Sequence, residues 1–427
     1  MHIYFSGIGG TGLGPLSLIA SQAGFSVSGS DKQSSKYTEY LKSKGVSVYI
    51  GQEDDANIKA ANSLQPIDWF VYSSALPLEN PNHPEIIFCQ RNNIKLSKRD
   101  ELLNYIIQQK KLKLIAIAGT HGKTTTTAMT VWAFKQLNLP ISYSIGAKTN
   151  FSEMGEYNPD SKYFIYECDE FDRNFLSFKP YYSLITNIDW DHQEIYPTKD
   201  NYDEAFMKFI NQSNKVIIRK NDIYNNISPQ NNMLVISDDY GDDVKLPGAH
   251  NRHNASLVLK FLELEFNEND SAKYKEILSN FPGTSRRFEK LKDNLFTDYA
   301  HTPEEIEATI QLAKEISDKI LVIYEPLTNR RQHFCKEQYK NTFNNVNKLI
   351  WLPSYLARED PNQKILSPTD LIKYMSKPEV AVSAEKNNQL WGEINEHLKS
   401  GYLVLLVAGG GGGSLDEWAR QKISTNL

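Results

Sequence analysis

Short apolar runs alternate along this chain with segments of helical period. Residues 2–6 form a β-type run, glycines follow at 7, 9, 10 and 12, and Leu13, Leu16, Ile19, Ala20 and Ala23 then recur on one helical face until Gly24. Residues 25–31 read as a second strand ending in an acid, and 46–50 and 69–72 as further short strands. Strands that alternate with helices predict a parallel, doubly wound sheet. The segment 102–112 is amphipathic and ends in Lys110-Lys111, which predicts a linker or domain edge.

A second unit opens at the apolar strand 114–118. It runs through Gly119-Thr120-His121-Gly122-Lys123-Thr124-Thr125 into a helix predicted over 126–137. Strands are expected at 163–166, 182–186, 215–218 and 233–236. The turn Pro282-Gly283-Thr284-Ser285 marks a third unit, with strands at 295–299, 319–324, 348–352 and 402–407 and a helix over 303–316 led by Pro303. The last of these strands is followed by five glycines, Gly409 to Gly413.

Composition narrows the picture. At roughly 150 residues per domain, 427 residues predict about three domains. A net charge of -5, from 47 basic and 52 acidic residues, gives no electrostatic case for a nucleic-acid partner. No apolar run nears the roughly 20 residues of a bilayer span, so no membrane partner is expected. Cys89, Cys168 and Cys335 are too scattered for a disulfide framework or zinc ribbon, which fits a reducing compartment. The opening residues are strand-like and lack the charged and apolar regions of a secretory signal, so a cytoplasmic location is expected.

The chemistry concentrates at strand ends. Gly119–Thr125 lies between a strand and a helix, where backbone N–H groups can cradle phosphate, Lys123 can neutralise it and the Thr124 hydroxyl can ligate Mg²⁺. It departs from the full GxxxxGK[ST] pattern, since Ile117 stands at the first glycine position. A phosphate loop needs a metal-holding acid. The run 163–166 leads into Glu167-Cys168-Asp169-Glu170, of which Glu167 is the first acid and the leading ligand. The strand 182–186 leads into Asn187-Ile188-Asp189-Trp190-Asp191-His192, and His192 is a candidate second ligand. Gly7-Ile8-Gly9-Gly10-Thr11-Gly12 fits GxGxxG, with Asp31 ending the next strand, and such a turn binds a dinucleotide or another diphosphate. Three clusters remain: Gly248–Asn254, Ser285–Phe288 and Asp298–Pro303.

Taken in order, GIGGTG, SGSD, SSALP, AGTHGKTTTT, ECDEFDRNF, TNIDWDH, GAHNRHN, SRRF and DYAHTP resemble the Mur ligase family, over nearly the whole chain. The resemblance implies an α/β protein of three domains: a Rossmann-like N-terminal domain for the UDP-sugar (1–108), a central P-loop ATPase with a mostly parallel sheet (109–288), and a Rossmann-like C-terminal domain (289–427). It implies an ATP- and Mg²⁺-dependent ligase of peptidoglycan precursor synthesis. The motifs are most similar to the branch that joins L-alanine to the lactyl carboxylate of UDP-N-acetylmuramate through an acyl phosphate. The alternative is the murein-recycling branch, which adds an L-Ala–D-Glu–diaminopimelate tripeptide.

By the same resemblance, Gly119, Thr120, His121, Gly122, Lys123, Thr124 and Thr125 hold the ATP phosphates. His250, Asn251 and Asn254 lie on the adenine side and Asp298 at the ribose. Thr124, Glu167 and His192 ligate metal, and Asn187 lies beside the reacting carboxylate. Arg287 lies near the phosphates, and His301 and Arg331 on the acceptor side. Gly9, Gly10, Asp31, Ser73 and Ser74 belong to the UDP-sugar. One segment departs from the alanine-adding pattern. In Tyr324-Glu325-Pro326-Leu327-Thr328-Asn329-Arg330-Arg331, Leu327 and Thr328 stand where that branch has His-Arg. Arg330 is a candidate stand-in for the missing cation. Glu325 and Asn329 resemble the tripeptide-adding branch.

Overall fold

The computed structural model describes every residue of the 427 except 74, 75, 78, 79, 194, 224–226, 358, 426 and 427. The chain divides into two compact units, Met1–Asp243 with Asn254–Phe281, and Val244–His253 with Pro282–Leu427.

The first unit holds two sheets. One is built from β1 (His2–Ser6), β2 (Ser26–Asp31), β3 (Ser47–Ile50), β4 (Trp69–Tyr72) and β5 (Lys95–Lys98). It is parallel throughout, in the order β3-β2-β1-β4-β5. The chain leaves β1 towards β2 and returns on its other side at β4. That reversal opens a crevice at the carboxyl ends of β1 and β4, where a doubly wound sheet takes its ligand.

The other sheet comprises β6 (Lys113–Ala118), β7 (Ser142–Ser144), β8 (Gly155–Glu156), β9 (Tyr163–Glu167), β10 (Tyr182–Ile185), β11 (Lys215–Arg219) and β12 (Met233–Ile236). Its order is β12-β11-β10-β6-β9-β7-β8, with only the β7–β8 pair antiparallel. β6 is central, and all of its residues after Lys113 are buried, as expected of a parallel strand covered on both faces. The loop that follows it emerges beside the ends of β9 and β10.

The helix Arg99–Gln109 is not a linker. Its Leu102, Leu103, Ile106 and Ile107 join a single core with Ile3 and Phe5 of β1 and Leu114 and Ala116 of β6. Only its polar end, Lys110-Lys111, gave the segment the look of an edge.

The second unit holds β13 (Glu289–Lys292), β14 (Leu295–Asp298), β15 (Ile320–Glu325), β16 (Lys348–Trp351), β17 (Ala381–Ser383) and β18 (Leu403–Ala408). Their order is β13-β14-β18-β15-β16-β17, parallel except for β13 against β14. β15 and β18 are buried along their whole length, with apolar clusters on both faces. The helix Pro303–Ile316 begins as expected, with Thr302 and Glu305 forming a capping box. Among the described residues no helix is long and apolar enough to cross a membrane.

Candidate active site

The phosphate loop is shaped by its glycines and by Asn187. Gly119 (φ +134°) and Gly122 (φ +81°) adopt conformations that L side chains rarely take. A Cβ on Gly119 would stand 2.1 Å from Thr186 Oγ1, and one on Gly122 would stand 2.7 Å from Asn254 Oδ1. Asn187 Oδ1 accepts from His121 N (2.8 Å), and its backbone O accepts from Thr120 N (3.2 Å). Thr120 Oγ1 donates to Asp189 O and accepts from Asp189 N (2.7 and 2.8 Å), so this hydroxyl serves the loop itself. The helix begins at Lys123, three residues before its predicted start, because Gly122 supplies the left-handed turn that lets the lysine be its first residue.

Lys123 Nζ donates to Gly119 O (2.6 Å), Thr120 O (3.1 Å) and Glu170 Oε2 (2.6 Å). Burial works against the ammonium, but Glu170, Asp169 and Glu167 outweigh it and hold its pKa above the ordinary lysine value. Glu170 is the residue that sequence reasoning passed over. It stood in the quoted acidic run, but its meeting with Lys123 depends on the two consecutive left-handed residues that follow, Asp172 and Arg173 (φ +55° and +59°).

The expected metal ligands come together in part. Thr124 Oγ1 donates to Glu167 Oε1 (2.8 Å), and Gly146 N donates to Glu167 Oε2 (2.9 Å). His192, in a left-handed conformation at φ +56°, places Nε2 3.6 Å from Glu170 Oε1. That glutamate oxygen is buried without a hydrogen-bond partner. Among the described residues no three His, Cys, Asp or Glu side chains close a metal cage. An oxygen-rich, half-complete donor set of this kind fits Mg²⁺, which takes one or two carboxylates and completes its shell with phosphate oxygens and water.

At the other sheet, Gly9 N donates to Asp31 Oδ2 (2.7 Å), Gly10 N to Gly7 O (3.0 Å), and Gly7 N and Ile8 N to Ser30 O (2.8 and 2.9 Å). Asp31 thus contacts the glycine turn itself. Ser73 follows β4, and its carbonyl accepts from Leu76 N (3.0 Å); Ser74 lies outside the described residues. Arg99, a second residue missed from sequence, connects the two loops. A Cβ on Gly12 would stand 2.5 Å from its Nη1, and its Nη2 lies 3.5 Å from Asp169 Oδ2. Its neighbour Lys98 pairs with Asp172. The signal available in sequence was a Lys-Arg pair at the end of a strand, but that strand was too polar to be recognised.

The remaining expected residues fall as follows. Asn254 lies against Gly122, where its side-chain amide leaves no room for a Cβ. His250 and Asn251 stand within the second unit's residues, where Asn251 Nδ2 donates to Pro247 O (2.9 Å). Burial, with His253, Arg287 and Arg252 nearby, pushes His250 down to about 4. Asp298 is buried, and its two oxygens accept from Phe288 N and Ala300 N (2.7 Å each). The Arg287 guanidinium lies 5.3 Å over the Tyr299 ring. His301 Nδ1 lies 3.0 Å from Glu305 Oε2. Arg331 N donates to the Thr328 cap (3.3 Å), and Arg330 N to Glu359 Oε2 (3.1 Å).

A loop of phosphate-binding type with its lysine, threonine and acid lies in one unit with a glycine turn at a sheet crevice, an arrangement of the α/β nucleotide-dependent enzyme class. The chain belongs to the Mur ligase family. Residues 2–111 match the Mur ligase family catalytic domain and 117–237 the Mur ligase middle domain. It is 32% identical to the UDP-N-acetylmuramate–L-alanine ligase of Clostridium botulinum strain Langeland, covering 96% of this chain and 95% of the relative. It is 31% identical to the enzyme of that name from Fusobacterium nucleatum, over 93% and 91%. Its fold is similar to the crystal structure of UDP-N-acetylmuramate-alanine ligase from Thermotoga maritima. The TM-score there is 0.75 at 24% identity, covering 100% of this chain and 99% of that one. A murein peptide ligase from Psychrobacter arcticus has a TM-score of 0.63 at 20% identity, over 99% and 98%. The mixed α/β fold with three mostly parallel sheets is that of the family.

Proposed function

We propose that this chain joins L-alanine to the lactyl carboxylate of UDP-N-acetylmuramate, using ATP, in the cytoplasm, as a step of peptidoglycan precursor synthesis. The observation that carries the ATP chemistry is the contact of Thr124 with Glu167 beside the buried Lys123–Glu170 pair, at the mouth of the phosphate loop. The relatives' shared name supports the substrates.

In this reading the domains are 1–108, 109–288 and 289–427, and each supplies one part of the reaction. The glycine turn with Asp31 holds the UDP-sugar. The loop amides and Lys123 hold the β- and γ-phosphates. A carboxylate is a poor acyl donor, and transfer of the γ-phosphoryl group turns it into an acyl phosphate. That transfer depends on positioning and charge neutralisation more than on covalent help. Mg²⁺ bound at Thr124, Glu167 and His192 would supply further neutralisation of the phosphate oxygens. In this reading Asn187, beside the phosphate loop, and Arg99, between Gly12 and Asp169, orient the carboxylate. The neutral amine of alanine then attacks, the C–N bond forms, and phosphate leaves. In this reading His301, paired with Glu305, takes the amine's proton, and Arg331 grips the amino-acid carboxylate.

Two residues that resembled the tripeptide branch have other work. Glu325 is buried and accepts from Lys386 Nζ (2.5 Å) and Leu415 N (2.8 Å). Asn329, also buried, donates to Lys364 O (3.1 Å) and accepts from Leu366 N (2.8 Å). Both hold loops within the unit, so their identity does not argue for a longer acceptor. Competition between L-alanine and L-Ala–D-Glu–diaminopimelate, with ATP, UDP-N-acetylmuramate and mass identification of products, tests the assignment. Alanine adduct is expected, and exclusive tripeptide adduct overturns it.

A further inference from the structure

We propose that Glu85 is a positioning residue for the sugar-nucleotide site, a buried carboxylate that ties the ends of β1 and β2 together and so sets the shape of the glycine turn. The inference rests on the reading that this turn receives UDP-N-acetylmuramate.

Glu85 lies in the first turn of the helix Pro84–Arg91, a position that favours an acid, and has no exposed surface (0%). Its Oε1 accepts from Ser30 Oγ (2.6 Å) and Tyr4 OH (2.9 Å), and its Oε2 from Ser6 Oγ (2.5 Å). Gln52 Nε2 closes the circuit, donating to Ser30 Oγ (2.8 Å), Ser6 Oγ (3.0 Å) and Glu85 Oε2 (3.4 Å). All of these partners are uncharged. A carboxylate buried without a cation is costly, and an apolar side chain would fill the space at lower cost. Burial raises the Glu85 pKa, and the hydroxyl and amide donors oppose that rise.

The two serines explain why the arrangement matters. Ser6 directly precedes Gly7, and Ser30 directly precedes Asp31. Ser30 O receives the N–H groups of Gly7 and Ile8, and Asp31 receives that of Gly9. Every anchor of the turn is thus one residue or one hydrogen bond away from the Glu85 circuit. The circuit has a fixed direction. An ionised carboxylate only accepts, so each serine proton points to Glu85 and each serine lone pair to Gln52. Glu85→Gln, nearly identical in shape, presents N–H groups where acceptors are required and forces Ser6, Ser30 and Gln52 to reorient.

The test is steady-state kinetics of Glu85→Gln, Ser30→Ala and Ser6→Ala, with calorimetric titration of UDP-N-acetylmuramate in the absence of ATP. For Glu85→Gln we expect KM and Kd for the UDP-sugar to rise roughly tenfold, while kcat and KM for ATP stay within about twofold. The serine variants should move the same constants by less. A folded Glu85→Gln with unchanged sugar affinity overturns the proposal, as does a parallel change in all constants, which marks general damage. If Glu85→Gln does not fold, the serine variants decide, because each keeps the carboxylate and removes one tether; unchanged sugar affinity in both overturns it. Wild-type protein that does not bind UDP-N-acetylmuramate overturns both this inference and the function it rests on. Wild-type binding with an unchanged Glu85→Gln overturns this inference alone.

Discussion

Replacing Lys123 by methionine should cost stability as well as catalysis. The Lys123 side chain is 12% exposed and Glu170 1%, and their charged atoms are 2.6 Å apart. Removing the cation strands an anion whose other oxygen already lacks a hydrogen-bond partner, with His192 Nε2 3.6 Å away. Breaking a buried pair from one side costs about 3–5 kcal/mol. A second estimate comes from the proton Glu170 can take up in the variant. Holding a carboxyl protonated at about pH 7.5 against an unfolded-state pKa of about 4.3 costs roughly 4 kcal/mol at 1.36 kcal/mol per unit. The two agree, and for a unit of this size they correspond to a fall in Tm of roughly 6–12 °C.

The pH dependence separates this mechanism from lost packing. In Lys123→Met the folded-state pKa of Glu170 is raised above its unfolded value. Its stability is therefore retained at about pH 4 and lost as pH rises towards 7.5. Thermal unfolding without nucleotide, followed by circular dichroism between those limits, should show that slope in Lys123→Met and not in Lys123→Met/Glu170→Gln. The double variant should return to within about 1 kcal/mol of the wild type. Ligation should stay reduced by at least about 10²–10³-fold in both, since the charge on the terminal phosphates is absent either way. A Lys123→Met protein as stable as wild type, or one not rescued by Glu170→Gln, would refute the reasoning.

Chelation should abolish ligation and Mg²⁺ restore it, and Glu167→Gln should raise the Mg²⁺ needed for half-maximal rate by about tenfold or more, read as phosphate release against metal concentration. His250, pushed down to about 4, stays neutral in the folded chain while the unfolded chain protonates near 6.5. Stability should therefore be present above that value and fall as pH drops from 6.5 to 4, by at most about 3 kcal/mol. His250→Gln should flatten that slope in chemical unfolding, and an unchanged slope counts against it.

What was legible in the sequence follows from burial. β1, β6 and β18 are runs buried on both faces, so an unbroken apolar stretch between turn residues was enough to find them. β5, β7, β13 and β17 are only three or four residues long, and each lies at or next to a sheet edge. Lys-Leu-Ser-Lys or Glu-Lys-Leu-Lys has no periodic signal, and such strands exist because a neighbour offers hydrogen bonds. The motifs brought Thr124 and Glu167 into contact because the loop that carries Lys123 and Thr124 and the acid Glu167 stand at the ends of the adjacent parallel strands β6 and β9. The choice between Glu167 and Glu170 as partner of the lysine was out of reach. It turns on two consecutive left-handed residues, Asp172 and Arg173, a conformation uncommon outside glycine that leaves no periodic signal in the sequence.

A motif's letters also mix two kinds of residue, and the SRRF segment shows how the fold sorts them. Arg286 Nη2 donates to Ala408 O (3.0 Å) and Gly410 O (2.7 Å), and its Nε lies 3.0 Å from Asp416. That arginine fastens the start of the glycine stretch to the sheet. Arg286 and Phe288 both take left-handed conformations (φ +61° and +47°), each at a cost of order 1–2 kcal/mol. These two residues flank Arg287, whose guanidinium comes over Tyr299 near the buried Asp298. Glu325 and Asn329 belong with Arg286: their hydrogen bonds are consumed in holding loops. In the function proposed above, Arg287, His301 and Arg331 are the residues that meet ligand. Acceptor choice should therefore follow these three and not the letters at 325 and 329, which could change with any substitution that preserved the Lys386 and Leu415 contacts at 325 and the Lys364 and Leu366 contacts at 329.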